Sequence, residues 1–549
     1  MILIKLVGFL YVFIAFLFWL MLFKVSSVIV QFKIFKLRVF DLLKLRVYLD
    51  FYRYMYIFVL CSIVGSIHFF IKYYMGDDRK IIRFVGVLKV FVLSMILLIV
   101  SPNLVFVMLG WDGLGFSRFV LVAWFGCYVR RAARLKTFLI NRLGDGFFLI
   151  SLIYFFYQGH FGMYVLDRLM FLVRVILVIA FYTKSAHFPF SRWLPDAMAA
   201  PTPVSALVHS STLVTAGLYM LFRFRYVWKY KIFELIHKLG LWTLFLGRLC
   251  ACFDQNSKKI VAYSTIRQLG LLRYVLGLGM FDLFFFYMMV HALFKALLFI
   301  SVGSLMLVKF HNQDVRHLRN CWFQNPLISL KLFFRVFALS GFPFLSGFYI
   351  KELVVNGGNL IKKKVFSQFL FYLSIVFTVY YSFRLYNVMV GSFKYNYGVL
   401  LNSIKIPVWV YFFLYMSVIQ VGLVLYKKYF VWLNFGSSVV VLLISLLGLV
   451  LSVIIRKYFL FRCVFRNFLC YVVYMFKLNL ITVRFNKLLK SGEYFYEKID
   501  KGFFLFVFIK RINRLFFLEV KRIFWKNYFL NWVCLLMIVT GFVAVVVFF

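Results

Sequence analysis

Charge is scarce in this chain, and negative charge scarcest of all. Its 549 residues include 17 Asp or Glu against 64 Lys or Arg, and charged residues make up only 15% of the whole. Ordinary globular sequence is about one quarter charged. With 64% of residues hydrophobic, a soluble domain is excluded, since it could not hide that much apolar surface. Nucleotide-binding signatures are also missing. There is no G-x-G-x-x-G opening a helix after a strand and no P-loop, so the chain offers no phosphate cradle. Its 8 cysteines are scattered. The one close pair, Cys250 and Cys252, has no second pair at metal-binding distance, which argues against zinc or an iron–sulfur cluster. No repeat of short period is visible.

What fills the chain instead is a series of stretches free of Asp, Glu, Lys and Arg: Leu6–Phe23, Val90–Trp111, Gly146–Leu166, Ala197–Phe222, Val365–Phe383, Ile406–Tyr426, Tyr429–Ile455 and Asn527–Phe549. Each approaches or exceeds the ~18–20 apolar residues that carry a helix across ~30 Å of hydrocarbon. Lipid offers backbone N–H and C=O groups no partner, so runs of this kind imply helices rather than open sheets. Adding shorter and charge-interrupted segments, the expectation is an all-α polytopic membrane protein of roughly 15–16 helices. Leu6–Phe23 exceeds a signal-peptide core, and Lys24, Val25 and Ser26 follow it without a small-residue cleavage site, so it is expected to be a retained first helix. Whether residues 25–47, basic and only partly apolar, cross the membrane is left open. The formal net charge of +47 is spread between and within the apolar runs. Dispersed Lys and Arg set topology and touch lipid headgroups, so membrane lipids are expected partners and nucleic acid is not.

Within the apolar spans, ionisable residues stand out, because each costs about 2.5–3.5 kcal/mol at a helix centre on insertion scales. Asp112 is the one acid in a long apolar stretch reaching Ser117. Lys184 is followed at once by Pro189 and Pro195, which remove helical donors and mark a broken helix. His209 is the sole titratable group in Ala197–Phe222, a segment whose Pro201 and Pro203 suit a helix start. His291 and Lys295 lie one turn apart on a single helical face. Lys351 follows a glycine- and proline-bearing segment around Pro343, again an interrupted helix. Taken singly, Lys351 could snorkel to an interface and His209 could be a packing residue. Together, beside broken helices, such groups resemble a polar path through a bilayer.

Several of these segments carry a resemblance. TKSAHFPFSRWLPDAMAAPTPVSALVHSSTLVTAGLYMLFRF (183–224), GWDGLG (110–115), INRLGD (140–145), KKIVAYSTIRQLG (258–270), HALFKALLF (291–299), GFPFLSGFYIKEL (341–353) and YYSFRL (380–385) are similar, in the same order, to the antiporter-like subunits of NADH:ubiquinone oxidoreductase, complex I, of the chain 5 type. Residues 1–82 and 391–549 match only in layout. The resemblance implies N-terminal membrane helices over 1–82, two inverted five-helix bundles over 83–255 and 256–390, further membrane helices over 391–483, a lateral amphipathic helix over 484–526 and a terminal anchor over 527–549. If continuous, about 43 residues of lateral helix would reach roughly 65 Å.

The resemblance also implies a proton-translocating function in the mitochondrial inner membrane. Asp112 and Lys184 correspond to the family's charged pair and His209 to its relay histidine, while Lys258, His291, Lys295 and Lys351 continue the path in the second bundle, with Lys295 as central proton carrier. This chain itself would hold no cofactor; NADH, FMN, iron–sulfur clusters and ubiquinone belong to the rest of the complex. Its partners would be other membrane subunits, notably the antiporter-like chains 4 and 2. A subunit of a multisubunit sodium/proton antiporter, which shares fold and most motifs, is the alternative; a purely structural scaffold is a third.

There are departures from the pattern. Tyr287 stands where the family usually has a second histidine, His187 where Gln is common, and Arg118, Arg192 and Arg267 where Ser is usual. Arginines beside a proton path inside lipid are costly. One explanation is a mitochondrial gene whose AGA and AGG codons are read as serine by its own ribosomes, in which case part of the +47 is a translation artefact.

Overall fold

A computed structural model describes residues 2–390 except 25–27, 33–44, 158–170, 319–325, 342–345, 361–364 and a few isolated positions, together with 409–429 and scattered positions from 443 to 450. The lateral helix expected over 484–526, the anchor over 527–549 and most of 391–483 lie outside the described residues.

Helices dominate, as the apolar runs require. The first is α1 (Ile2–Lys24), followed after a short hairpin by α2 (Phe51–Tyr74), α3 (Ile81–Val100), α4 (Leu104–Val122), α5 (Tyr128–Tyr157) and α6 (Phe171–Lys184). Then come a short α7 (Trp193–Ala197) and a span built of α8 (Thr202–Val204), a π-helical stretch Ser205–Thr212 and α9 (Leu213–Arg223). The rest are α10 (Tyr230–Phe253), α11 (Ser257–Gly277), α12 (Phe281–Val308), α13 (Pro326–Ser340), α14 (Ser346–Leu360), α15 (Val365–Val390) and α16 (Trp409–Tyr429). Among the described residues nine helical spans are long and apolar enough to cross a membrane. That is fewer than the sequence count, because α6, α13 and α14 are broken short and part of the chain is undescribed.

The all-α expectation needs one local correction. Val28–Phe32 (β1) pairs antiparallel with Leu45–Leu49 (β2), Val28 opposite Leu49 and Phe32 opposite Leu45. Both segments are rich in β-branched and aromatic residues, which fit a pleated ribbon better than a helix. Residues 28–32 and 45–49 therefore do not form a membrane-crossing helix.

Three spans form the centre. The apolar windows of α2 and of Thr202–Arg223 are fully enclosed by protein, and that of α12 is 94% buried, whereas α1 is only 17% buried and lies at the periphery. The central span packs against both α2 and α12. The breaks fall where the prolines and glycines predict. After Lys184 the helix gives way to a 3₁₀ turn, Phe190–Arg192, and to α7; the next helix begins with Pro201 as its N-cap and Pro203 inside the first turn. At the second break, Gly341 takes φ +79°, a left-handed conformation that side chains disfavour, directly after α13.

Helices α10 and α11 approach with unusual closeness. A Cβ added to Gly270 would lie 2.6 Å from the backbone N of Leu244, and one added to Gly277 2.6 Å from Cβ of His237. Without a hydrophobic driving force inside lipid, small residues that let backbones meet are what holds such a pair.

Candidate functional site

Lys184 ends α6 and is fully buried. Its Nζ donates to the carbonyl oxygen of Trp111, lies 4.0 Å from the centre of the Trp111 ring and is 3.6 Å from Oδ1 of Asp145. Trp111 Nε1 donates in turn to the same Asp145 oxygen at 2.8 Å. One tryptophan on α4 thus touches both the lysine and its carboxylate. The sequence pairs Lys184 with Asp112, but the structure gives the closer place to Asp145. Asp112 sits on the outer side, its side chain 37% exposed, 3.6 Å from Arg142 Nη1. Arg142 also reaches Asp145 Oδ2 at 3.5 Å. A competition is built in: Asp145 lies between Lys184 and Arg142, and Asp112 backs the arginine.

The polar series continues inward. Trp193 on α7 donates to the Thr183 carbonyl at 2.7 Å and stacks beneath the guanidinium of Arg118 at 4.0 Å. Its ring centre is 6.3 Å from that of His209. His209 lies in the π-helical stretch and is fully buried, as is His187. The widening at 205–212 has a local cause. Hydroxyls of Ser211 and Thr212 reach back to the Leu207 carbonyl at 3.0 and 2.7 Å, the second across five residues, offering the backbone partners that a regular ladder would supply. Such π segments recur at functional positions. The stretch packs against α12, which bears His291 and Lys295.

Lys295 is fully buried, and its Nζ donates to Ser264 Oγ of α11 at 2.6 Å. His291 stands one turn before it, also buried. Neither ring nitrogen of His209 or of His291 has a hydrogen-bond partner among the described residues. Buried imidazoles with both nitrogens available can accept a proton on one side and release it from the other. At the start of α11, Lys258 donates to the Ala200 carbonyl at 3.2 Å. It lines a cavity of about 300 Å³ that also includes Asp78, His311 and Gln313 and reaches the break between α7 and α8. Lys351, on α14, donates to the Ser340 carbonyl at the end of α13, across the second break. Six of the seven sequence-derived positions are therefore buried, and only Asp112 is substantially exposed.

Three participants escaped the sequence: Trp111, Asp145 and Ser264. Asp145 was hidden because it stands at the edge of the charge-free run Gly146–Leu166 and reads as a helix boundary. Its spacing of three from Arg142, which places both on one helical face, was the available signal. Tyr287, in place of the second histidine, is buried close to Arg267, which itself donates to Tyr381 Oη at 2.7 Å.

Comparison with known proteins gives a consistent outcome. The family described as NADH:quinone oxidoreductase/Mrp antiporter, transmembrane, matches residues 101–378, a range that contains all seven positions. A protein from Anopheles quadrimaculatus, NADH-ubiquinone oxidoreductase chain 5, is 36% identical over 479 residues, covering 82% of each chain. Its namesake in Lumbricus terrestris is 42% identical over 334 residues, 59% of this chain and 58% of that one. Among solved structures, the membrane-bound sulfane sulfur reductase of an archaeal respiratory complex superposes with a TM-score of 0.68 at 20% identity, over 81% of this chain and 93% of that one. The Mrp complex of a Dietzia species superposes with a TM-score of 0.64 at 20% identity, over 99% of this chain and 60% of that one. At such identity these two speak for the fold alone.

Proposed function

This chain belongs to the NADH-ubiquinone oxidoreductase chain 5 family, within the NADH:quinone oxidoreductase/Mrp antiporter membrane proteins, and from that premise we propose that it is the proton-translocating antiporter-like subunit of respiratory complex I. The observation that carries this reading is Lys184, wholly buried between Trp111 and Asp145 in a membrane bundle that continues into buried His209, His291 and Lys295.

Two opposing effects act on a lysine in such a place. The neighbouring carboxylate favours the ammonium, and removal from water favours the neutral amine. When Asp145 turns toward Lys184 the proton is held. When Asp145 is drawn toward Arg142, already 3.5 Å away, the hold weakens and the proton moves toward the interior. His209 relays it, and Lys295, held only by a serine hydroxyl, is the central carrier. The redox steps lie elsewhere: NADH, FMN, iron–sulfur clusters and ubiquinone are held by other subunits. Chains 4 and 2 of the same complex are the membrane neighbours, and the mitochondrial inner membrane is the location.

Purification and reconstitution test this. The native chain is expected to co-purify with NADH-oxidising, quinone-reducing activity, and NADH-driven acidification of liposomes containing that complex is expected to be independent of sodium. Sodium-dependent transport without associated NADH oxidation would instead identify a sodium/proton antiporter.

A further inference from the structure

We propose that Trp111 is a positioning residue that sets how tightly Lys184 holds its proton; the proposal rests on the proton-carrying role given to Lys184 above. Three contacts converge on this one side chain and its peptide. The backbone carbonyl accepts from the ammonium, the ring face lies 4.0 Å from it, and the indole N–H holds Asp145 Oδ1 at 2.8 Å. A π face stabilises a cation most where water is excluded, and Trp is the strongest of the aromatic faces. Trp111 and Lys184 are both fully buried. The ring is itself fixed on two sides, its centre 5.6 Å from that of Phe148 and 5.8 Å from that of Phe181. The ammonium therefore sits in a socket that does not follow it when Asp145 moves.

The charged groups acting on Lys184 are Asp145 and Arg142 from α5 and Asp112 and Arg118 from α4. Helix α9 also packs on α6, but its Arg223 is directed at the carbonyls of Leu98 and Ser101. His187 lies against Tyr182, and Arg192 is partly exposed. None of these replaces the indole, which among the described residues is what bridges the two members of the pair. Its N–H also restrains Asp145 from leaving for Arg142, so Trp111 sets both the charge preference of the lysine and the ease of the carboxylate's swing.

The test is the pH profile of NADH-driven proton uptake in the assembled complex. Trp111→Leu keeps the carbonyl but removes the π face and the N–H. Its alkaline limb is expected to move down by about one pH unit, because the charged lysine loses a desolvated cation–π partner. Trp111→Phe restores a ring face, and its limb is expected to move less than half as far. If the leucine variant fails to assemble, fluorinated tryptophan incorporated at the same position weakens the π face without changing its shape, and a shift in the same direction is expected. An unchanged profile in the leucine form, or in the fluorotryptophan form where leucine fails to assemble, overturns the positioning role while leaving the pumping function intact. Full pumping in Lys184→Met overturns the proton-carrying role itself.

A separate observation supports a second inference. Arg248, Arg267 and Arg273 are all at most 1% exposed, inside α10 and α11. All three guanidinium nitrogens of Arg248 and Arg273 lack a hydrogen-bond partner among the described residues, where Arg267 has two phenol hydroxyls, those of Tyr381 and Tyr287. The guanidinium carbon of Arg273 lies 3.1 Å from the centre of the Tyr182 ring, inside the ~3.5–4.0 Å optimum for carbon contacts. Buried charges without partners are not tolerated, in protein or in lipid. All three stand at the α10–α11 crossing, where Gly247 would place a Cβ 2.9 Å from the N of Arg267, and where small side chains are what the approach demands.

We infer that these three positions carry serine in the assembled protein, as a gene whose AGA and AGG codons specify serine would give. Buried serines here satisfy themselves on the preceding turn, as Ser264 does on Val261 and Ser301 on Leu298. Arg142 and Arg223, which have acceptors, are expected to remain arginine. Mass spectrometry of chymotryptic peptides from the purified complex decides the matter. Serine at 248, 267 and 273 with arginine at 142 and 223 is the expected result, and arginine at 248 or 273 overturns the inference.

Discussion

Lys295→Ala in the assembled complex is expected to lower NADH-driven proton uptake about a hundredfold or more, the usual effect of removing a positioned proton-transfer group, while assembly stays normal. The reason for intact assembly is local. Lys295 is fully buried, and among the described residues its one hydrogen bond is to Ser264 Oγ and no carboxylate pairs with it, so its removal strands no opposite charge there. Lys295→Arg is the sharper variant. Arginine keeps the positive charge and the hydrogen bond but does not release its proton in proteins. A pump that needs a carrier at this point fails with arginine as with alanine, whereas one that needs only a fixed positive charge survives. Unchanged uptake in the alanine variant would remove Lys295 from the path.

Asp145→Asn is expected to impair pumping and stability more than Asp112→Asn does. Asp145 is buried, faces Lys184 at 3.6 Å and accepts from Trp111. Its neutralisation leaves a buried ammonium without its near counter-charge, an effect worth about 3–5 kcal/mol where such pairs are broken. Asp112 is 37% exposed and pairs with Arg142, itself 46% exposed, at 3.6 Å, so its neutralisation leaves no fully buried cation without its near counter-charge. Asp112 still contributes at longer range to Lys184. Quantifying intact complex on native gels beside proton uptake in liposomes separates the two variants. Equal or greater loss in Asp112→Asn would restore Asp112 as the partner of Lys184.

Arg142 gives these two aspartates a common role. It touches Asp112 and Asp145 from the same guanidinium, at 3.6 and 3.5 Å. Whatever draws Arg142 outward takes carboxylate charge away from Lys184, and whatever pushes it inward returns that charge. The outer, partly exposed end of the network is thus where a neighbouring membrane subunit could act on the lysine without touching it.

What was legible from residues alone follows from the solvent the chain lives in. Hydrocarbon satisfies no backbone group, so apolar runs had to be helices, and an ionisable residue within one, such as Lys184 or Lys295, stood out as a candidate for function. Prolines at 189, 195, 201 and 203 announced the break after α6 because the missing N–H is a local property. Partnership is not local. That Asp145 rather than Asp112 lies nearest Lys184 depends on the rotation of α4 and α5 about their axes, and that Trp111 bridges the pair depends on the ring being wedged between Phe148 and Phe181. The same holds for the arginines: their cost in lipid is a matter of composition, but only packed neighbours reveal that Arg248 and Arg273 have no hydrogen-bond partner among the described residues. Side-chain chemistry told which groups could carry a proton, and helix packing decided which of them face one another.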